Sequence, residues 1–291
     1  MEQPDSTHFT DDADPIAMNE TAPFGTYAPS GLVRWVIERT RTMPNTWAGK
    51  RLVFLLRRLA IAALKGAPVD IETLGARMRL HPYNNISEKK VLFTPQFFDP
   101  EELAVLKSRL RDGFTFVDVG ANIGAYSLWV AALAGPTARI LAIEPQPKVF
   151  DRLTYNIGLN PHGTVKAVAC AVADKPGELT LFLDPRNSGE SSVKIVASSQ
   201  AATLRVPATT LLDLVRNERL ERLDAIKLDV EGAEDIILEP FFRDAPEALY
   251  PSLIIVEDGT RQWQTDVPKM LREKGYRGVA RTRLNLIFER P

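Results

Sequence analysis

From Gly113 to the end of the 291-residue chain, short apolar runs alternate with stretches of helical period. "FTFVDVG" (114–120) predicts a first strand, followed by a helix over about Ala125 to Leu133. "RILAIEP" predicts the second strand, with a helix over about Lys148 to Leu159, and "TVKAVACAV" the third. "LDAIKLDVEG" and "SLIIVED" predict the fourth and fifth, each followed by helical sequence, and "GYRGVARTRLNLIFER" reads as a closing hairpin. Near-continuous apolar strands separated by amphipathic helices belong to a mostly parallel sheet covered on both faces. The expected fold class is α/β and doubly wound.

Other segments fall outside this alternation. Between strands three and four, "GELTLFLD" and "SSVKIVA" read as added strands joined by the loop "DPRNSGESS", and Thr210 opens "TLLD", a helix-capping pattern. Upstream, residues 69–97 look extended, with two short alternating runs around Gly75. "DPEELAVLKSRLRDG" predicts a helix with Asp99 as N-cap, Pro100 at the first position, Glu102 completing a capping box and Gly113 ending it. The expected organisation is a polar tail over 1–30, a helical and β extension over 31–112, and the catalytic-type domain over 113–291.

Composition changes the picture in two places. Apolar residues make up 45% and charged residues 25%, with a net charge of −1 that offers no global attraction for nucleic acid. Three histidines and the single Cys170 leave neither a zinc cluster nor a disulfide framework, so a reducing, cytoplasmic setting is expected. His81 is expected to be structural. Locally, residues 1–30 hold six acids and no lysine or arginine, a composition expected to be disordered. Residues 31–65 reverse the sign, with eight basic residues against Glu38. "RLVFLLRRLAIAALK" is too short in its apolar part to span a bilayer. A helix packed on the core, its arginines covering the edge, is the favoured reading. A basic amphipathic helix resting on an anionic membrane or a partner is the alternative.

The candidate chemistry begins where strand one ends. Asp118 is followed by Gly120, Asn122 and Gly124, as D-x-G-x-N-x-G, and Glu144 closes strand two 24 residues after Gly120. Glycines let the main chain approach a ligand closely, and an acid at about that offset accepts hydrogen bonds from a ribose diol. The dinucleotide signature needs a third glycine and places a pyrophosphate on the helix start. Here the flanking carboxylate would repel a pyrophosphate and suits a cationic amino acid. S-adenosylmethionine, with ammonium, sulfonium and ribose, is therefore expected over NAD.

"FVDVGANIGAYSL", "AIEPQPKVFDRLTYNIGLN", "AVADKPGELTLF", "NSGESSV" and "DAIKLDVEGAE" together resemble the FkbM-type branch of the class I S-adenosylmethionine-dependent methyltransferases, over about Leu74 to Phe288. The resemblance implies a Rossmann-like, seven-stranded sheet with a reversed last strand. It also implies donor contacts from the Asp118–Gly124 loop, from Glu144 to the ribose, and near Ala173 and Asp174 to the adenine.

On the acceptor side, Asp229 and Glu231 close strand four beside strand one, and Asp229 leads as the catalytic or acceptor-orienting group with Glu231 next to it. The competing roles are a pairing of Asp229 with Lys227 and a helix-start role for Glu231. No resident metal is expected; magnesium on Asp229, Glu257 and Asp258 is the minor alternative. Asn187, Ser191 and Trp263 are candidates for touching the acceptor, Trp263 being more often a packing residue. The expected reaction is O-methylation of a sugar, glycolipid or small natural product. A non-catalytic nucleoside-fold module binding through the basic N-terminal helix is the alternative.

Overall fold

A computed structural model describes residues 22–83, 85–161, 163–183, 191–192 and 202–291. The chain opens with helices α1 (Gly31–Arg41) and α2 (Trp47–Leu64), the hairpin strands β1 (Val69–Thr73) and β2 (Ala76–Leu80), and helices α3 (Ile86–Phe93) and α4 (Pro100–Lys107). Then come β3 (Thr115–Val119), α5 (Ala125–Ala134), β4 (Arg139–Ile143), α6 (Pro147–Gly158) and β5 (Val165–Val168). An excursion follows through β6 (Ala171–Val172), β7 (Gly177–Leu183), β8 (Ser191–Ser192) and β9 (Ala202–Thr209). The chain returns through α7 (Leu211–Asn217), β10 (Ala225–Leu228), α8 (Glu234–Asp244), β11 (Leu253–Glu257) and α9 (Val267–Glu273), and closes with β12 (Arg277–Arg281) and β13 (Asn285–Glu289).

The main sheet has seven strands in the order β12-β13-β11-β10-β3-β4-β5. Neighbours from β11 through β5 are parallel, and β13 runs antiparallel to both β11 and β12. This is the doubly wound sheet that the alternating runs predict, with the reversed last strand that the family resemblance implies. Every residue of β3 is buried, because β3 lies mid-sheet with a core on each face. One core joins Val36, Leu56, Met78 and Phe93 of the N-terminal elements to Phe116 and Ile140; the other joins Val117 and Ile226 to α7, α8 and α9. The order reverses between β3 and β10, which opens a crevice at the strand ends.

Four expectations are corrected. Residues 86–93, read within an extended stretch, form helix α3, capped by the Asn85 side chain. Strand three breaks after Val168, and its continuation, β6, joins a second, four-stranded sheet ordered β6-β9-β7-β8. α4 ends at Lys107, and Asp99 does not cap it: at φ 40° its carboxylate accepts a hydrogen bond from the Tyr126 hydroxyl. Glu102 likewise turns to Thr282 and Asn285 instead of closing a capping box. Thr210 does cap α7, accepting from the Asp213 amide at 3.0 Å.

Residues 22–30, polar and counted with the tail by composition, are tied to the body. The Gly25 and Tyr27 amides donate to Asp70, which is ion-paired with buried Arg79 at 2.7 Å. A second buried pair, Arg152 with Glu88 at 2.7 Å, pins α3 to α6, and the His81 amide donates to the same glutamate, a structural use of that segment. No helix among the described residues is long and apolar enough to cross a membrane.

Candidate active site

The loop after β3 is held against β10 with no room to spare. Gly120 has φ 80°, and a Cβ there would lie 2.0 Å from the Asp229 carbonyl oxygen. Only glycine lets the turn sit this close to the neighbouring strand. The Gly120 and Ala121 amides both donate to the Ile143 carbonyl, at 3.0 and 2.9 Å, which ties the loop to the end of β4. Asn122 adopts φ 50°, donates its amide to Glu144 Oε2 at 3.0 Å, and accepts from the Asn85 side chain at 2.9 Å. Gly124 then starts α5, packed on Leu153.

Glu144 lies beneath this loop. Burial pushes its carboxyl up to about 7, against hydrogen bonds from the Gln146 and Asn122 amides that favour the ionised form. Each of its oxygens accepts one amide, Oε1 from Gln146 and Oε2 from Asn122. A carboxylate oxygen has a second lone pair, so both retain capacity for a ligand hydroxyl.

The deepest acid is Asp118, whose register partner across the β3–β10 ladder is Lys227. Burial raises the Asp118 carboxyl; Lys227 and the Ser127 hydroxyl, donating at 2.7 Å, oppose that rise. Burial alone would lower the Lys227 ammonium, but Asp229 and Asp118 hold it above the usual lysine value. Its Nζ donates to Asp229 Oδ2 at 2.6 Å and stands 4.8 Å over the Tyr126 ring. The Lys227 side chain is 4% exposed and that of Asp229 42%, so the pair spans from the interior to the open crevice.

Beside Asp229 lie Glu231, at φ 57°, and Glu257 at the end of β11. One oxygen from each of these three carboxylates lies within 4.8 Å of the others. Burial and the charges of Asp229, Glu231 and Glu234 push Glu257 up to about 8, and its buried Oε2 has no hydrogen-bond partner. The third member is Glu231 and not Asp258, which turns away to Thr260 and Arg281. Two of the three carboxylates proposed for magnesium, Asp229 and Glu257, thus converge, and Asp229 is also paired with the Lys227 ammonium. The helix-start role weighed for Glu231 falls to Glu234, which accepts the Val230 and Gly232 amides. The Trp263 indole N–H is spent on Glu234 at 2.7 Å, a packing role.

The loop, Glu144, Asp118, Lys227 and the three crowded carboxylates line one cleft of about 1360 Å³, its open mouth included. It brings together Asp118, Gly120, Asn122, Glu144, Asp229 and Glu231 from the sequence expectations. Gly124 stands behind the wall as the start of α5. Asp174 is exposed and lies outside the lining; Cys170, Ala171 and Val172 of the same segment form that wall. Asn187 and the Ser191 side chain fall outside what the structure describes. Asn85, Asp99 and Tyr126 line the cleft without having been singled out for it by the sequence. Tyr126 could have been found, since it lies two residues past Gly124 on the helix that opens the site. Six acids (Asp99, Asp118, Glu144, Asp229, Glu231 and Glu257) face two lysines, Lys90 and Lys227, across the cleft. That balance favours a cationic ligand and disfavours a pyrophosphate.

A doubly wound sheet with a glycine loop and a buried acid at its reversal point defines an α/β protein whose cleft opens at the strand ends. The profile of the family described as Methyltransferase FkbM domain matches residues 118–277, more than half of the chain, and the chain belongs to that family. Methyltransferase sdnD of Sordaria araneosa is 34% identical over 152 residues, covering 42% of this chain and 58% of that protein. Hexuronic acid methyltransferase AglP of Haloferax volcanii is 28% identical over 156 residues, covering 54% of this chain and 60% of that one. The chain therefore spans less than two thirds of the length of either relative. A crystal structure of Methyltransferase FkbM from Methylobacillus flagellatus KT aligns with a TM-score of 0.43 at 14% identity, covering 89% of this chain and 58% of that one.

Proposed function

We propose that the protein transfers a methyl group from S-adenosylmethionine to a hydroxyl of a sugar, a glycolipid or a small natural product. The observation that carries this reading is the glycine turn pressed on the end of β10, with Glu144 opening into the same cleft. A tight glycine turn, beside an acid with free lone pairs and a net negative wall, suits a cationic nucleoside. The relative named as a hexuronic acid methyltransferase supports a sugar acceptor.

When bound, the donor supplies a methyl carbon made electrophilic by positive sulfur; the oxygen–carbon bond forms as the carbon–sulfur bond breaks. The protein's own part is then positioning and proton management. The Asp118–Gly124 loop and Glu144 hold the donor, with Glu144 on the ribose. Cys170, Ala171 and Val172 offer an apolar wall for the base, and Asp174 stays outside it. Asp229, steadied by Lys227, and Glu231 orient the acceptor hydroxyl. Glu257 takes the proton: its buried, unpartnered oxygen and raised carboxyl suit it to act as the general base.

The test is mass-spectrometric detection of methyl transfer from labelled donor to a panel of free sugars, uronic acids and lipid-linked sugars. The expected product carries the label on an oxygen. Labelling on nitrogen or carbon, or donor binding with no transfer to any hydroxyl, contradicts O-methylation.

A further inference from the structure

Eleven large apolar side chains are exposed among the described residues, and seven of them lie on α1 and α2: Leu32, Trp35, Trp47, Leu52, Phe54, Leu55 and Leu59. α2 buries Gly49, Val53, Leu56 and Ala60, a stripe narrow enough to leave the other side of the helix in the open. On that open side Leu52, Leu55 and Leu59 recur at spacings of three and four, so they form one apolar band. Leu55 is 57% exposed and Trp47 73%. The reading of α2 as a helix packed on the core therefore accounts for only one of its faces.

Cations border the band. Arg51 stacks over Trp47 at 4.7 Å, while Arg57 and Arg58 flank Phe54 at 5.7 and 5.8 Å. None of the eight basic residues between 31 and 65 makes an ion pair among the described residues, and Glu38 is the one acid in that range. The basic field continues onto α3, where Lys89 lies close enough to Arg57 for mutual repulsion. α1 packs on α3, and Ile86 and Lys90 of α3 line the rim of the cleft. The patch thus runs from the helical hairpin to the mouth of the candidate site.

We infer that the exposed face of α1 and α2 docks on an anionic lipid bilayer, lying in the headgroup region with its apolar band turned inward. Two features choose this occupant. Exposed leucines and tryptophans beside unpaired arginines match an interface that is apolar below and negative above. A second copy of the same face would bring like charges together, and the chain's own acidic stretch over 1–21 offers few apolar residues to cover the band. The inference is independent of the methyl-transfer reading, since it concerns a different surface.

The test is sedimentation of the full chain with vesicles of phosphatidylcholine alone and of phosphatidylcholine mixed with phosphatidylglycerol. Binding to the anionic vesicles should be at least about tenfold stronger and should weaken steeply with added salt. Leu55→Asp with Leu59→Asp, and separately Arg51→Glu with Arg58→Glu, should each cost about tenfold or more while leaving the thermal midpoint and donor affinity unchanged. Equal binding to both vesicles, or none, would overturn the inference. So would a dimer in sedimentation equilibrium that Leu55→Asp dissociates, or carboxylate cross-links from Asp11, Asp12 or Asp14 to Lys50 without vesicle binding.

Discussion

At the β3–β4 end of the cleft the shape is made by main chain: three consecutive amides of the loop, at Gly120, Ala121 and Asn122, bond to Ile143 and Glu144, and a glycine touches the neighbouring strand. At the β10–β11 end it is made by side chains, with Asp229, Glu231 and Glu257 crowded together and Asp229 paired to the Lys227 ammonium. The first arrangement is rigid and selects by fit. The second combines burial with repulsion, which together push the Glu257 carboxyl up to about 8 and leave it ready to change state. A donor that is the same in every turnover suits the rigid end, and an acceptor that must lose a proton suits the charged one.

The largest effect should come from the rigid end. Gly120→Ala must move either the turn or β10, and should weaken donor binding at least about a hundredfold, near 3 kcal/mol, measured by calorimetry. A loss smaller than about fivefold would mean that the loop is not the donor seat.

Next in size is Glu257→Gln, expected to lower kcat about a hundredfold with donor affinity nearly intact. With Glu257 as the proposed base, kcat of the parent protein should climb about tenfold per pH unit until it levels near 8, because that carboxyl is protonated below this value. The stability consequence has the opposite sign. A carboxyl raised in the folded state keeps its proton where the unfolded chain has lost it, so stability falls as pH rises from the ordinary carboxylate range to about 8. Urea titrations at several pH values should show a flatter slope for the variant.

Glu144→Gln should weaken donor binding about thirtyfold, since an amide oxygen cannot keep both backbone donors and a ribose hydroxyl. Asp174→Asn should change donor affinity by less than about twofold, because the side chain is exposed and outside the lining. A large effect there would return the adenine contact to Asp174.

The same contrast explains what was legible beforehand. Gly120, Gly124 and Glu144 belong to local strand–turn–helix signals, and the sheet follows from alternating apolar runs, so both were readable from residues close in sequence. Partners chosen across the fold were not. Asp99 looked like a helix cap until Tyr126, 27 residues on, claimed its carboxylate. Glu102 looked like half of a capping box until Thr282 and Asn285 took it. Asp258 and Glu257 are adjacent, yet Arg281 draws one outward while the other stays in the cleft. β9 went unread as a strand, and strand three was read through its break at Cys170, because the pairing of β6 with β9 joins segments more than thirty residues apart.

The most direct measurement is a pair of calorimetric titrations of the full chain, one with S-adenosylmethionine and one with NAD. Saturable heat with the methyl donor, abolished by Gly120→Ala, and none with the dinucleotide is the expected result. Binding of NAD with no heat from the donor would contradict the account.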